Sequence, residues 1–173
     1  IIKKNGEVIV EPLKISDELL YQLEHNLVFF YTGIQRNASS VLRDQDSKTK
    51  ADDMSVINSL HKIKEIGVES KRLLEKGDLD GFGELLDVHW QMKKKLSNKI
   101  SDPFIDECYD LARKKGALGG KIMGAGGGGF FMFYTDRHRI EITEALRTKG
   151  LMPIWFSFDF QGVRTLVNIK NSR

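Results

Sequence analysis

Eight of the 16 glycines in this chain fall between Gly116 and Gly129, and the densest stretch reads Lys121-Ile122-Met123-Gly124-Ala125-Gly126-Gly127-Gly128-Gly129-Phe130. Ordering five glycines there costs about 2.5–5 kcal/mol more than ordering five alanines, at roughly 0.5–1 kcal/mol each. A folded chain keeps such a run where the backbone needs unusual dihedrals or must approach another group closely. Cradling phosphate with bare backbone amides is the chemistry this composition suggests. Gly124, Gly126 and Gly129 satisfy G-x-G-x-x-G in form, but a dinucleotide fold needs a helix after the motif. Phe130-Phe131-Met132-Phe133-Tyr134 follows instead and has strand character. A Walker loop also fails, because Gly119-Gly120-Lys121-Ile122 has the wrong spacing and no Ser or Thr after the lysine. A flexible linker is the bland alternative, and the strand-like segments abutting the run speak against it. What survives is a glycine-lined turn between strands that lets a ligand or a second backbone come close.

Other side chains carry weaker signals. Arg36 follows a predicted strand end, three residues beyond Gly33. A guanidinium there can grip an anion bidentately, with Thr32 assisting and a nearby helix N-terminus adding positive potential. An exposed ion pair or loop contact is the competing reading. Lys121 could face the same anion or simply flank the loop. His25, His61, His89 and His138 show no paired ligand spacing, so zinc is not expected, and His89 reads as a satisfied core residue on an apolar helical face. Cys108 shares a stripe with Ile105 and Tyr109 and reads as buried packing. Asp44, Asp46, Asp52 and Asp53 read as loop and cap residues. Lys93-Lys94-Lys95 and Arg113-Lys114-Lys115 read as solvated helix ends rather than a nucleic-acid surface, since no aromatic RNA-binding motif accompanies them.

These residues must be positioned by a chain of 173 residues with a formal charge of +3, 40% hydrophobic and 29% charged. That length predicts about one domain with a real core. No apolar run approaches the roughly 20 residues needed to span a bilayer. The single cysteine fits a reducing compartment, so a cytoplasmic location is expected. The opening Ile1-Ile2-Lys3-Lys4 has neither Met nor a signal-peptide core, which suggests a start partway through a longer protein. Residues 7–15 read as a strand, an edge strand because of Pro12. Ser16-Asp17 starts a helix, and Leu27 to Tyr31 is a buried strand. The following residues to about Lys50 are partly helical. A long helical block through Leu74 closes at Gly77, and Asp78 opens a second helix whose apolar stripe is Leu79, Phe82, Leu85, Leu86, His89, Met92 and Leu96. The two should pack as an antiparallel hairpin. Asp102-Pro103 starts a further helix with the sharpest signature in the chain. Phe130 to Thr135 is a strand, Asp136 starts a helix, and Leu151 to Phe160 and Val163 to Ile169 are strands. The fold class expected is α+β, an antiparallel sheet with a helical layer that includes the long helical hairpin.

The run from Lys121 to Phe130 resembles the third conserved motif of the GHMP kinases, the superfamily of galactokinase and of homoserine, mevalonate and phosphomevalonate kinases. Further segments resemble one branch, the sugar kinases acting on D-glycero-D-manno-heptose 7-phosphate. These are Phe29-Phe30-Tyr31-Thr32-Gly33 with Arg36, the Gly77-Asp78-Leu79-Asp80 turn with Phe82-Gly83, and Asp102-Pro103-Phe104-Ile105-Asp106. The resemblance implies that residues 1–173 form a ferredoxin-like C-terminal domain whose amino-terminal, nucleotide-binding half is absent. It implies an ATP-dependent kinase in the intact protein, with Gly124 to Gly129 and Lys121 near the nucleotide phosphates and Arg36 and Thr32 on the phosphosugar. No catalytic residue and no metal ligand is assigned to this chain, and Mg²⁺ would be held largely by the other half. Met123 stands where the family usually has Ser or Thr, which removes a hydroxyl from that position. Homo-oligomerisation is left open, and neither nucleic acid nor membrane is expected as a partner. Another GHMP acceptor, or a non-catalytic domain that binds an anionic metabolite or mediates association, is the alternative.

Overall fold

Side-chain caps set most helix boundaries in the computed structural model, which describes residues 1–35 and 37–164. Ser16 accepts from the Leu19 amide to open α1 (Asp17–Asn26), and Asn37 accepts from the Ser39 amide to open α2 (Ala38–Lys50). Asp53 caps α3 (Met54–Lys76), Asp78 caps α4 (Leu79–Lys94), and Asp102 with Pro103 at the first helical position opens α5 (Pro103–Lys114). Each of these side chains satisfies an amide that the helix itself leaves unpaired. Gly77, at φ 81°, ends α3 in the left-handed conformation, and Asp78 follows at once, so α3 and α4 form the expected hairpin. The last helix, α6, covers Arg139–Thr148.

Four strands form one antiparallel sheet in the order β2-β3-β1-β4. They are β1 (Leu27–Tyr31), β2 (Gly119–Ile122), β3 (Phe130–Tyr134) and β4 (Met152–Ile154). In chain order this is a β-α-β-β-α-β unit with ferredoxin-like topology, its first crossover enlarged by α2 to α5. Alternation along the strands splits the core into two clusters. Phe30, Ile122, Phe131 and Phe133 pack with Ile105, Cys108 and Ala112 of α5 and with Ile142 and Leu146 of α6. Leu27, Met132 and Tyr134 pack on the other face with Leu23 of α1, Leu74 of α3 and Leu79 and Leu86 of α4.

Contact between α4 and the β2–β3 hairpin depends on two glycines. A Cβ at Gly83 would overlap Cδ1 of the Tyr134 ring, and one at Gly119 would overlap the Gly83 carbonyl oxygen. Small residues on both sides let the helix backbone lie directly on the strand.

Several sequence expectations are corrected. Residues 7–15 form no strand; only an isolated Ile2–Val8 bridge occurs there, because no neighbouring strand offers the segment a ladder. The α6 helix starts at Arg139 rather than Asp136, and its N-cap His138 makes no side-chain cap bond. Strand geometry after Leu151 is confined to Met152–Ile154. The expected strand from Val163 to Ile169 lies largely outside the described residues. Asp44 and Asp46 sit within α2 and pair with Lys48 and Lys50 one turn on, rather than lying in a loop. Lys94 pairs with Asp106, but Lys93 is buried, contrary to its reading as part of a solvated helix end. The buried face of α4 is Leu79, Gly83, Leu86, Trp90 and Lys93, rotated from the expected stripe. A glycine adds nothing to an apolar pattern, so Gly83 hides this face.

Candidate functional site

Residues 123–129 connect β2 to β3, and register fixes both ends of this loop. Ile122 pairs with Phe131, and the Met123 amide donates to the Phe130 carbonyl at 2.8 Å. Five glycines within it, Gly124, Gly126, Gly127, Gly128 and Gly129, all have positive φ. Space is as restrictive as conformation at two of them. A Cβ at Gly126 would lie 2.9 Å from Cγ2 of Ile100, and one at Gly128 would lie 2.6 Å from the Ile34 carbonyl oxygen. The composition therefore answers both needs that justify its entropic cost: left-handed backbone and close approach of neighbouring chain.

Neighbouring elements pin the loop. The Gly127 amide donates to the Ile100 carbonyl at 2.7 Å, and the Gly129 amide donates to the Ile34 carbonyl at 2.9 Å. Thr32, just after β1, donates both its amide and its hydroxyl to the Gly129 carbonyl, each at 2.9 Å, and accepts from the Ile34 amide. Its hydroxyl proton is thus used in holding the loop, rather than being offered to an anion as expected from the sequence. Two loop amides are spent in this way. Those of Gly124, Ala125, Gly126 and Gly128 have no acceptor among the described residues.

An open cleft of about 450 Å³ lies against this loop. Ala125, Gly126, Gly128 and Gly129 form one wall, and Tyr31, Ile34, Gln35 and Ala38 form the other. Ala38 is the first residue of α2, so the positive end of that helix borders the cleft, and its first turn contains no acidic residue. Met123 lines the rim and is partly exposed. The cleft can take an anion: unspent amides on one side, a helix N-terminus on the other, and no carboxylate in its lining. A second cleft, of about 270 Å³ between α6 and β1, is lined by none of the candidate binding residues read from the sequence.

The structure thus brings together the loop from Gly124 to Gly129, Thr32 and the N-terminus of α2. Lys121 stands on β2 opposite Met132, partly buried, and burial pushes its ammonium below the ordinary lysine value. Arg36 lies outside the described residues. Two residues near the loop were misread or missed. Lys93 of α4 donates from Nζ to the Ile122 carbonyl at 2.9 Å and to the Gly124 carbonyl at 2.6 Å. Burial, aided by the Lys121 charge, lowers its pKa to about 8. His89, one turn earlier, has a buried Nδ1 with no hydrogen-bond partner among the described residues, where the sequence reading expected a satisfied core residue. Burial, then the charges of Lys121 and Lys93, push its pKa down to about 4, which leaves it neutral. The signal for Lys93 was its spacing of three and four residues from Leu79, Gly83, Leu86 and Trp90. Cys108 is buried and free, with its thiol pushed up to about 11 by burial, in keeping with a packing role. No group of three or more His, Cys, Asp or Glu side chains among the described residues converges as metal ligands. No helix among them is long and apolar enough to cross a membrane.

Comparison with known proteins shows what this chain is similar to. The chain is 32% identical over 162 residues to the D-glycero-alpha-D-manno-heptose 7-phosphate kinase of Campylobacter jejuni, covering 93% of this chain and 47% of that protein. It is 29% identical over 121 residues to the bifunctional fucokinase/GDP-fucose pyrophosphorylase of Arabidopsis thaliana, covering 70% of this chain and 11% of that protein. The crystal structure of a D-glycero-D-manno-heptose 1-phosphate kinase from Bacteroides thetaiotaomicron matches with a TM-score of 0.63 at 27% identity, over 91% of this chain and 40% of the other. The chain spans less than half the length of each of these relatives. Residues 70–150 match the family model for the C-terminal region of GHMP kinases. That segment runs from the end of α3 through α6 and includes the whole glycine hairpin, so the likeness to the C-terminal region of GHMP kinases takes in the loop described above.

Proposed function

We propose that residues 1–173 are the C-terminal half of an ATP-dependent sugar-phosphate kinase, and that its acceptor is the anomeric hydroxyl of D-glycero-D-manno-heptose 7-phosphate. One observation carries the kinase reading: a pinned glycine loop whose amides at Gly124, Ala125, Gly126 and Gly128 remain unspent beside an anion-compatible cleft. The acceptor rests on similarity to a heptose 7-phosphate kinase over 93% of the chain.

In the reaction, the acceptor hydroxyl oxygen forms a bond to the γ-phosphorus of ATP, the bond to the ADP oxygen breaks, and the hydroxyl proton leaves. Such transfer is mostly positioning and stabilisation of charge on the transferred group. This chain's share is to hold phosphate oxygens with backbone amides, to add the field of the α2 N-terminus and the Lys121 ammonium, and to keep the loop rigid through Thr32. Arg36 is assigned to the anionic end of the phosphosugar. The group that takes the proton, and the ligands for Mg²⁺, belong to the other half. A different sugar acceptor is the second reading, favoured by the similarity to a fucokinase.

Gly126→Val tests the loop. The position has φ 103°, and its first added carbon already presses on Ile100. In the full-length protein, turnover with ATP and heptose 7-phosphate is expected to fall by about 100-fold or more, comparable to removing a preorganised donor from a transition-state site. Near-normal turnover would remove the loop from the active site.

A further inference from the structure

We propose that Lys93 is the positioning residue of the glycine loop and that its charge is completed by the anion the loop binds; this rests on the kinase reading above. Lys93 is nine-tenths buried, on the face of α4 that meets the sheet. Its ammonium grips the carbonyls of Ile122 and Gly124, the last residue of β2 and the first glycine of the loop. Turning those two carbonyls inward, towards α4, fixes the peptide planes at the loop's entry, and with them the direction of the amides that follow. The Gly127 and Gly129 bonds fix the far side, so Lys93 adds to the Met123–Phe130 backbone bond a side-chain anchor at the entry.

The electrostatics favour more than a structural clamp. An ammonium has three N–H donors, and only two of those on Lys93 have acceptors among the described residues. Carbonyls satisfy hydrogen bonds but bring no net charge, and a buried cation without an anion is costly. The charged or titratable groups around it worsen the imbalance. Lys121 of β2 is a second cation, and His89 on the same helix is neutral. The buried face of α3 contributes Val56, Ser59 and Ile66 but no carboxylate, and β3 contributes Phe131 to Tyr134. Asp87, further back on α4, is bonded to Tyr109 and Gln91. The missing negative charge therefore comes from outside the described protein, and the cleft lined by Met123 and Ala125, either side of the Gly124 that Lys93 grips, is where it would sit.

The test uses the full-length protein, ATP and ADP. Lys93→Met keeps the aliphatic stem and removes the charge and both bonds. Its kcat/KM for ATP should fall about 10- to 100-fold, the usual worth of hydrogen bonds to a charged group, while its thermal midpoint in the absence of nucleotide changes little. Calorimetric titration of ADP into the wild type at pH 8, in two buffers of different ionisation enthalpy, reads a feature that a purely structural lysine would not show. With Lys93 half-protonated near pH 8, binding should take up about half a proton, and Lys93→Met should not. Nucleotide binding without proton uptake overturns the charge role, even if the variant fails to fold. A folded Lys93→Met with wild-type kcat/KM overturns the positioning role. A full-length protein that binds no nucleotide at all defeats the kinase reading, and this inference with it.

Discussion

His89 and Lys93 lie one turn apart on α4, and burial depresses the pKa of both. For His89 this produces a dependence of stability on acid. Between its ordinary value of 6.5 and its folded value of about 4, the unfolded chain binds a proton that the native chain does not. Stability is therefore complete above about pH 6.5 and is lost progressively as the pH falls towards 4. The urea midpoint should be lower at pH 5 than at pH 7, and His89→Gln should narrow that difference; an unchanged difference would assign the acid sensitivity elsewhere. The two residues also mark what could and could not be read from the sequence. The glycine loop is legible because its composition is expensive and therefore has to be explained. Lys93 is not, because a lysine in a run of three reads as solvated unless its phase against Leu86 and Trp90 is followed. Thr32 reads from the sequence as an anion contact beside Arg36, and only the folded structure shows that its hydroxyl is spent on Gly129.

At the scale of elements, boundaries that rest on local chemistry were readable. Asp102 before Pro103, Asp78 after Gly77 and Ser16 before Asp17 all cap helices as their residue types suggest. Features that depend on a distant partner were not. Residues 7–15 alternate like a strand yet find no ladder, and the buried face of α4 is set by Tyr134 and Gly119 across from it. That interface gives a sharp expectation. Gly83→Ala pushes a methyl group into the Tyr134 ring, which is held in place because its hydroxyl accepts from Asn26 and donates to Asp80. Overpacking of this kind typically costs about 1–3 kcal/mol, and chemical denaturation should show it as a lower midpoint with an unchanged slope. A midpoint equal to the wild type would mean that α4 can move away from the sheet, and that Lys93 is held less firmly than its bonds imply.

For the whole molecule, the sheet order, the enlarged first crossover and the glycine hairpin place one wall of an anion cleft on a rigid support. The glycine side of that wall lies within residues 70–150, which match the GHMP kinase C-terminal family model, and the chain spans less than half the length of the relatives it resembles. The fold class was accessible because the order of strands and helices limits the topologies available. The acceptor was not, because the described cleft presents amides and apolar side chains that would suit any phosphorylated small molecule. The most direct measurement is ATP-dependent phosphorylation by the full-length protein across a panel of acceptors that includes heptose 7-phosphate, fucose and mevalonate, with the product's new phosphate located by NMR. The account predicts transfer to the anomeric oxygen of heptose 7-phosphate, with the highest kcat/KM of the panel. Efficient transfer to fucose or mevalonate instead would contradict the acceptor, and no ATP consumption with any of them would contradict the kinase itself.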